Sequence, residues 1–364
     1  MTNAGGEEAT VAVSIIDVAA RAGVSKTTVS AVINGHKNVK PATREKVLSA
    51  IEALDYHPNL AARELITASK TNIGILLPAY KRKPEKEGER YFPYINEASN
   101  YDVVSRLIDE LSQTGYGLLT EHIEMGEDEP LLPVFATSGR VAGVMHVTPL
   151  FDVKYMRKLQ KYVPHIVQIG NYNAEFDCVY SDYAQTLKTT VDYLVERGHR
   201  RIAFINADPA SSTSVERLQG YRESLQQHKI AYEESLVRAA PFTGQDSYCA
   251  FADIWEKSAQ KPTAVICTTD VGACGVLRYA HEQGISVPQE LSIISNEDGL
   301  ACEVTTPTLT VIGRNKQKIA VEAARMMLSR LKDPEQPHQA VKVADELIER
   351  HSVRCLNDEN GVIS

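Results

Sequence analysis

Two short helical patterns open the ordered part of the chain. From Ser14, apolar residues recur every three or four positions, as on one face of an amphipathic helix, and Asp17 completes a capping-box-like start. Gly23 is expected to end this helix. Ser25 can cap a second helix, which runs to the Asn34-Gly35 stop. The pattern therefore predicts two helices joined by a tight turn that contains glycine.

A third helix is predicted from Pro41 to the segment 55–58, because proline suits the first helical position. Four apolar residues are predicted to form its inward face: Val47, Leu48, Ile51 and Leu54. The three helices follow one another as in a helix-turn-helix unit, in which the second helix enters the major groove of DNA. The alternative is a small helical bundle whose polar face is simply solvated.

Side chains on the outer side of the second helix are the candidate DNA contacts. The candidates are Ser25, Lys26, Thr27, Thr28, Ser30 and Ala31. Lys26 can reach a guanine or a phosphate, and Thr27 can reach a base edge or a thymine methyl group. The serine hydroxyls and Thr28 suit phosphate oxygens. The spacing is therefore compatible with direct contact to DNA.

After residue 71 the pattern changes to short apolar runs that alternate with helical stretches. The predicted strands are 73–77, 116–119, 143–147, 201–206, 263–268 and 291–295. Strand, helix and strand in this order predict parallel sheets that are covered by helices. The pattern restarts near residue 201, so we expect two similar α/β halves in tandem.

Composition favours a cytoplasmic protein of more than one domain. The chain has 364 residues, and its six cysteines include no C-x-x-C pair, as expected for a reducing compartment. No apolar run approaches the roughly 18 residues that span a bilayer, and residues 1–10 do not resemble a secretory signal. The net charge of -8, taken for the chain as a whole, argues against a partner made of nucleic acid.

Two motifs in the first 65 residues resemble a known family. Residues 16–35 read IDVAARAGVSKTTVSAVING, and residues 56–65 read YHPNLAAREL. Both are similar to the head of LacI/GalR-family transcription regulators, which favours the helix-turn-helix over the helical bundle. The resemblance implies a hinge helix at 59–65 with Ala62 in the minor groove and Leu65 as a wedge between base pairs. Asn34 and Asn59 complete the predicted DNA-contacting set.

One residue of the second helix departs from the family pattern. Many members carry arginine where this chain has Ala31, and that arginine would read guanine with two hydrogen bonds. A methyl group supplies less than the roughly 1–3 kcal/mol of discrimination of such a pair. We therefore expect an operator half-site that departs from the usual family consensus at this base.

The remainder resembles the family's core, which is similar to periplasmic sugar-binding proteins. Its landmarks are ERLQGY at 216–221, PTAVICTTD at 262–270 and PTLTV at 307–311. The resemblance implies an all-α head with a hinge helix, followed by two parallel-sheet lobes joined by three crossings near residues 183, 300 and 334. The expected domains are a flexible start at 1–13, the head at 14–58, the hinge helix and linker at 59–71 and the effector-binding and dimerisation domain at 72–364. Within that domain the N-lobe would hold 72–183 plus 301–333, and the C-lobe 184–300 plus 334–356.

By the same motifs, Arg217, Asp270 and Glu297 lie at effector-binding positions of the family. An arginine and an acid that face each other across a cleft suit neighbouring hydroxyl groups, although a structural ion pair is the alternative. The other predicted effector contacts are Tyr91, Tyr94 and Phe242, whose rings could stack on a sugar, and Asp182. Glu297, Asn296 and Thr269 depart from the family pattern, which leaves the ligand class open.

The resemblance implies a homodimer that binds a palindromic operator and responds to a small molecule, with a sugar or glycoside favoured. A nucleobase or sugar phosphate is the alternative effector, and a solute-binding protein without a DNA role is the alternative function. The chain has no Gly-x-Ser-x-Gly, P-loop, Gly-x-Gly-x-x-Gly or spaced His/Cys motif, so no enzyme, cofactor or metal is expected. The charged segment 80–90 is interpreted as a solvated loop, or else as a rim contact with a larger effector.

Division by segment changes the meaning of the net charge. Residues 14–71 hold eight basic and five acidic residues, a net +3, whereas residues 1–13 carry -2 and residues 72–364 carry -9. The acidity therefore belongs to the ligand-binding part, and the head and hinge are modestly basic, as phosphate contact requires.

Overall fold

The computed structural model describes residues 13–33, 39–56, 71–80, 98–125, 130–147, 153–209, 211–240 and 243–357. The chain divides into two compact units, residues 1–69 and 70–364. Each unit has a hydrophobic core of its own.

The described part of the first unit consists of helices α1 (Ile15–Ala22), α2 (Lys26–Ile33) and α3 (Pro41–Ala53). A capping box starts α1, because the Ser14 hydroxyl accepts the Asp17 N–H and the Asp17 carboxylate accepts the Ser14 N–H at 2.8 Å. Gly23 ends the helix with a left-handed φ of 63°, a conformation that costs glycine little. The predicted helix, turn and helix are confirmed.

Valines from each helix meet in the core of the first unit. Val18, Val29 and Val47 are fully buried, and Ala50 joins them. The prediction that Leu48 faces inward was wrong, because its side chain is 53% exposed. Ala50 lies three residues after Val47 and shares its face, whereas Leu48 is turned about 100° away around the helix.

The first lobe of the second unit, called the N-lobe, is a six-stranded parallel sheet between helices. Its strands are β1 (Asn72–Tyr80), β2 (Gly117–Met125), β3 (Gly143–Val147), β4 (Ile166–Gly170), β5 (Asp177–Tyr180) and β11 (Ala340–Lys342). They are arranged in the order β11-β5-β4-β3-β1-β2. One face packs on α4 (Ala98–Leu111) and α12 (Lys316–Lys332), and the other on α5 (Val134–Thr137) and α6 (Val153–Gln160).

The second lobe, called the C-lobe, repeats this plan. Its strands are β6 (Ile202–Asn206), β7 (Val237–Ala239), β8 (Ala264–Cys267), β9 (Ser292–Ser295), β10 (Thr310–Arg314) and β12 (Asp345–Ile348). Their order is β12-β10-β9-β8-β6-β7, with β12 antiparallel to β10. Helices α7 (Tyr183–Glu196) and α8 (Ser212–Gln227) cover one face, and α9 (Gly244–Lys257) and α10 (Asp270–Glu282) cover the other. The short α11 (Leu300–Val304) follows β9.

The central strands confirm the predicted parallel architecture. Every residue of β3, β4, β6, β8 and β9 is buried, which explains why these strands read as continuous apolar runs. All six predicted strands are present, with ends that differ by up to six residues, as in β2.

Two of the three predicted crossings need correction. The first crossing lies between β5 and α7, as predicted near 183. The second lies at Asn315 rather than near 300, because β10 pairs with β9 and β12 in the C-lobe. The third lies between β11 and β12 rather than near 334, because β11 pairs with β5 in the N-lobe. The N-lobe therefore regains α12 and β11.

None of the helices in the described ranges has the length and apolar character needed to cross a membrane.

Candidate functional site

The N-terminus of α2 presents the candidate DNA contacts. Lys26 and Thr27 are exposed, while Val29 and Val32 on the opposite side are buried in the core. The Ser25 hydroxyl accepts the Thr28 N–H at 3.2 Å and lies 2.9 Å from the hydroxyls of Thr27 and Thr28. Ser25 therefore caps the helix and holds two neighbouring hydroxyl groups in place.

Ser30 and Ala31 are partly exposed on the same helix, as Thr28 is. Other predicted contacts lie outside the described residues: Asn34, Asn59, Ala62 and Leu65 of the DNA-binding set, and Tyr91, Tyr94 and Phe242 of the effector set. Most of the charged segment 80–90 lies outside them as well.

The C-lobe places a buried acid in contact with one arginine and within electrostatic reach of a second. Glu297 follows β9 and is 7% exposed. Arg314, the last residue of β10, donates a hydrogen bond from Nε to Glu297 Oε1 at 3.1 Å, and its Nη2 forms a salt bridge with the same oxygen at 2.9 Å. The second oxygen, Oε2, is buried and has no hydrogen-bond partner in the described part of the chain. Glu297 is therefore held by one oxygen and free to accept through the other.

Arg217 projects from α8 toward the same region. Its guanidinium carbon lies 4.5 Å from the centre of the Tyr183 ring, and Nη1 donates to Thr213 Oγ1 at 3.3 Å. Burial lowers the pKa of Arg217, and the nearby Tyr183 and Glu297 oppose that shift. Its buried Nε finds no acceptor among the residues that the structure describes. Arg217 thus offers a buried donor within electrostatic reach of Glu297.

Asp270 packs against the backbone of the loop that carries Glu297. Its Oδ1 accepts the N–H of Val271 at 2.8 Å. A Cβ atom added to Gly299 would lie only 1.8 Å from Asp270 Oδ2. Burial raises the pKa of Asp270, and the charge of Glu297 raises it further, against the opposing charge of Lys316. These contacts give Asp270 a role in shaping the loop, and its contact with an effector remains a prediction.

Asp182 lies at the first crossing and uses both carboxylate oxygens there. Oδ1 accepts the Gln185 N–H at 2.9 Å at the start of α7, and Oδ2 accepts from Lys342 Nζ at 2.6 Å. Burial alone would raise its pKa, but the hydrogen bond from Lys342 helps to lower it below the usual value. Asp182 therefore ties the first crossing to β11, and its predicted effector role stays untested.

The sequence pattern missed three residues around Glu297 and Arg217. They are Arg314, Tyr183 and Asp345, whose Oδ2 accepts a hydrogen bond from Thr186. Burial raises the pKa of Asp345, and its Oδ1 is unpartnered within the described ranges. No local signal marks Arg314 and Asp345, because the pairing of β10 with β9 and β12 brings them to this place. Tyr183 comes there as the first residue of α7, directly after the first crossing. The described residues contain no group of three or more acidic, histidine or cysteine side chains suited to a metal ion.

Comparisons with known proteins agree with this architecture. Residues 14–59 match the bacterial regulatory proteins of the lacI family, and residues 191–353 match the periplasmic binding protein-like domain. The HTH-type transcriptional repressor PurR of Escherichia coli O1:K1 / APEC is 32% identical over 346 residues, which cover 93% of this chain and 96% of the relative. The PurR of Vibrio atlanticus (strain LGP32) is 28% identical over 349 residues, 94% of this chain and 99% of the relative.

Solved structures share the fold over almost the whole chain. A transcriptional regulator CelR-cellobiose complex matches with a TM-score of 0.64 and 25% identity, covering 93% of this chain and 99% of that one. The lac repressor dimer bound to operator and the anti-inducer ONPF matches with a TM-score of 0.75 and 21% identity, covering 94% and 100%.

These findings confirm the predicted head followed by a two-lobed α/β domain. They also confirm that the chain is not an enzyme, since its curated relatives are repressors. The chain therefore belongs to the LacI family of bacterial regulatory proteins and is a DNA-binding transcriptional repressor with an effector-binding domain.

Proposed function

We propose that a small polar molecule bound by Arg217 and Glu297 controls the operator affinity of this repressor. One observation carries the proposal: Arg217 Nε and Glu297 Oε2 are both buried without a hydrogen-bond partner among the described residues. Such groups cost free energy unless something satisfies them, so a site that leaves two of them within electrostatic reach of each other is suited to a ligand. The ligand would donate to Glu297 Oε2 and accept from Arg217 Nε.

We propose a sugar or glycoside as the effector. A hydroxyl group both donates and accepts, so two hydroxyls of one sugar ring can satisfy the pair. Arg314 already occupies Glu297 Oε1, so the sugar would bind through Oε2 alone. The solved regulator named for its cellobiose complex supports this class. A nucleobase or sugar phosphate is the alternative, because each also presents donors and acceptors.

A thermal-shift screen tests the site and the ligand class together. Sugars, sugar phosphates and nucleobases are added to the wild-type chain and to the variants Arg217→Met and Glu297→Gln. A ligand at 100 times its Kd should stabilise the wild type by about 2.7 kcal/mol, and the variants should lose most of this shift. Stabilisation by nucleobases or sugar phosphates alone would overturn the sugar class, and equal shifts in the variants would overturn the site.

We also propose that two copies of the chain bind a palindromic operator. Val271, Leu300 and Val304 lie on α10 and α11 with 43%, 74% and 69% of their surfaces exposed. Exposed apolar residues on neighbouring helices suit burial against a second copy, and a twofold protein matches a twofold DNA site.

Analytical ultracentrifugation tests the dimer. Leu300→Asp with Val304→Asp should shift the wild-type dimer to a monomer, and the matched pair Leu131→Asp with Val134→Asp, on the N-lobe, should leave it unchanged. Leu131 and Val134 are also exposed, at 87% and 65%. A dimer that survives the first pair and dissociates with the second would move the interface to the N-lobe.

A further inference from the structure

A buried lysine joins the two lobes beside the candidate effector site. Lys316 is the first residue of α12 and is 6% exposed. Its Nζ lies 2.7 Å from Asp102 Oδ2 on α4 of the N-lobe and donates to the carbonyl oxygen of Asp298 in the C-lobe loop. A desolvated ammonium group is costly unless it keeps such partners, so both contacts are strongly favoured.

Each end of this connection is fixed within its own lobe. On the N-lobe side, Gln317 accepts from Arg106 at 2.6 Å, which adds a second link between α12 and α4. On the C-lobe side, Asp298 Oδ1 accepts from Arg350 Nη1 at 2.8 Å, and Arg350 also donates to the Leu309 carbonyl at 2.9 Å. The Asp298 loop is therefore linked through Lys316 to both α4 and α12.

Glu297, the acid of the candidate effector site, binds the same short segment of chain that contains Lys316, residues 314–316. Glu297 precedes Asp298, and its partner Arg314 lies two residues before Lys316, at the second crossing. The adjacent residues Glu297 and Asp298 thus bind the two ends of the segment 314–316, which leads into the N-lobe. The charged groups facing Lys316 are Asp102 and Asp270, of which Asp270 lies close to Gly299 of the same loop.

We propose that Lys316 is a positioning residue that ties the loop carrying Glu297 to the N-lobe and thereby sets the spacing of the two lobes. The inference rests on the proposed function in that Glu297 is taken as the effector contact. The contacts of Lys316 with Asp102 and Asp298 do not depend on whether Glu297 binds an effector.

Pulsed electron paramagnetic resonance on the full chain measures this coupling without an effector. One spin label is placed on the exposed Cys249 of α9 and one on a cysteine at the exposed position Lys154 of α6, with the partly exposed Cys274 and Cys355 changed to serine. Labelled chain is diluted with unlabelled chain, so that distances within one copy dominate. The readout is the distribution of distances between the two lobes.

Lys316→Met, which removes the charge and keeps the length, should shift the distribution to longer distances and broaden it. Lys316→Arg keeps the charge and should restore a narrow distribution. Lys318→Met changes an exposed lysine of the same helix and should match the wild type. If the distance distribution is unchanged in Lys316→Met, even with a lower melting temperature, Lys316 contributes only to packing and the proposal is overturned.

A second variant covers the case in which Lys316→Met fails to fold. Asp102→Asn removes the N-lobe partner at a half-exposed position, and it should shift the distribution in the same direction by a smaller amount. An unchanged distribution in Asp102→Asn would then overturn the proposal. The ligand screen with wild-type chain is independent of these distances, so a failure of the effector site and a failure of the Lys316 proposal are told apart.

Discussion

Arg314 holds Glu297 through a single carboxylate oxygen, with Nε and Nη2 at 3.1 and 2.9 Å from Oε1. The two side chains are only 8% and 9% exposed. Arg314 ends β10 and Glu297 follows β9, so the pair joins neighbouring strands at the edge of the sheet where the effector would bind. The ion pair therefore serves the stability of the C-lobe and the chemistry of the candidate site at once.

Arg314→Met should destabilise the chain by about 3–5 kcal/mol, because it leaves the Glu297 carboxylate buried without its cation. Urea unfolding at neutral pH measures the loss. The control is Arg157→Met, which breaks an exposed pair with Glu175 and should have a much smaller effect. The double variant Arg314→Met with Glu297→Met should regain much of the stability, and a double variant as unstable as the single one would contradict this explanation.

Gly299→Ala, in the loop that carries Glu297, should lower the free energy of unfolding by about 1–3 kcal/mol, as overpacking does in a filled site. The new methyl group would meet Asp270 Oδ2 at 1.8 Å, while the extended backbone of Gly299 itself accepts alanine without strain. Thermal unfolding of the single variant, compared with Gly299→Ala in an Asp270→Ala background, separates the two causes. If removing the Asp270 side chain brings no relief, the clash is not the cause.

The stability of the chain should fall as the pH drops below 6.5, in part because of His146. This ring is fully buried in β3, and burial lowers its pKa from 6.5 to about 3. The unfolded chain takes up the proton below pH 6.5 while the folded chain does not, so the neutral ring's contribution is complete above that pH and is lost toward pH 3. One such group contributes a slope of about 1.4 kcal/mol per pH unit.

Urea unfolding at several values between pH 4 and 7 checks the contribution of His146. His146→Leu should reduce the slope by that amount, whatever its effect on stability at pH 7. The control is His122→Leu, at an exposed position of β2. Equal slopes for the wild type and His146→Leu would show that the buried ring does not titrate in this way.

Ala31 should leave one base of each operator half-site weakly specified. Selection from random DNA is expected to return a site without full discrimination for guanine at that base, and Ala31→Arg should add about 1–3 kcal/mol in favour of guanine there. Gel shifts at one stated salt concentration measure the difference between the two sites. Full discrimination for guanine by the wild-type chain would contradict the prediction.

Local sequence was sufficient for the three helices of the head and for six of the strands. The cap at Ser14, the stop at Gly23 and the apolar runs of the central strands all act between residues close in the chain, and the structure has the six predicted strands, whereas the pattern did not predict β4, β5, β7, β10, β11 or β12. Leu48 shows the limit of prediction from local sequence even within one helix, because Ala50 is buried there and Leu48 is exposed. Periodicity identifies a face of the helix, and packing decides which residues at its edge are covered.

The sequence by itself determined the two kinds of domain and the central strands of each lobe, because these depend on local periodicity or on contiguous motifs, and the same motifs singled out Arg217 and Glu297 as candidates. Only the tertiary structure decided that β10 belongs to the C-lobe, that Arg314 holds Glu297 and that Lys316 reaches Asp102, 214 residues away in the chain. Each of these depends on which strands pair and where the chain crosses between lobes. Strand pairing is a competition among distant segments of similar apolar character, so no short stretch of sequence contains its outcome.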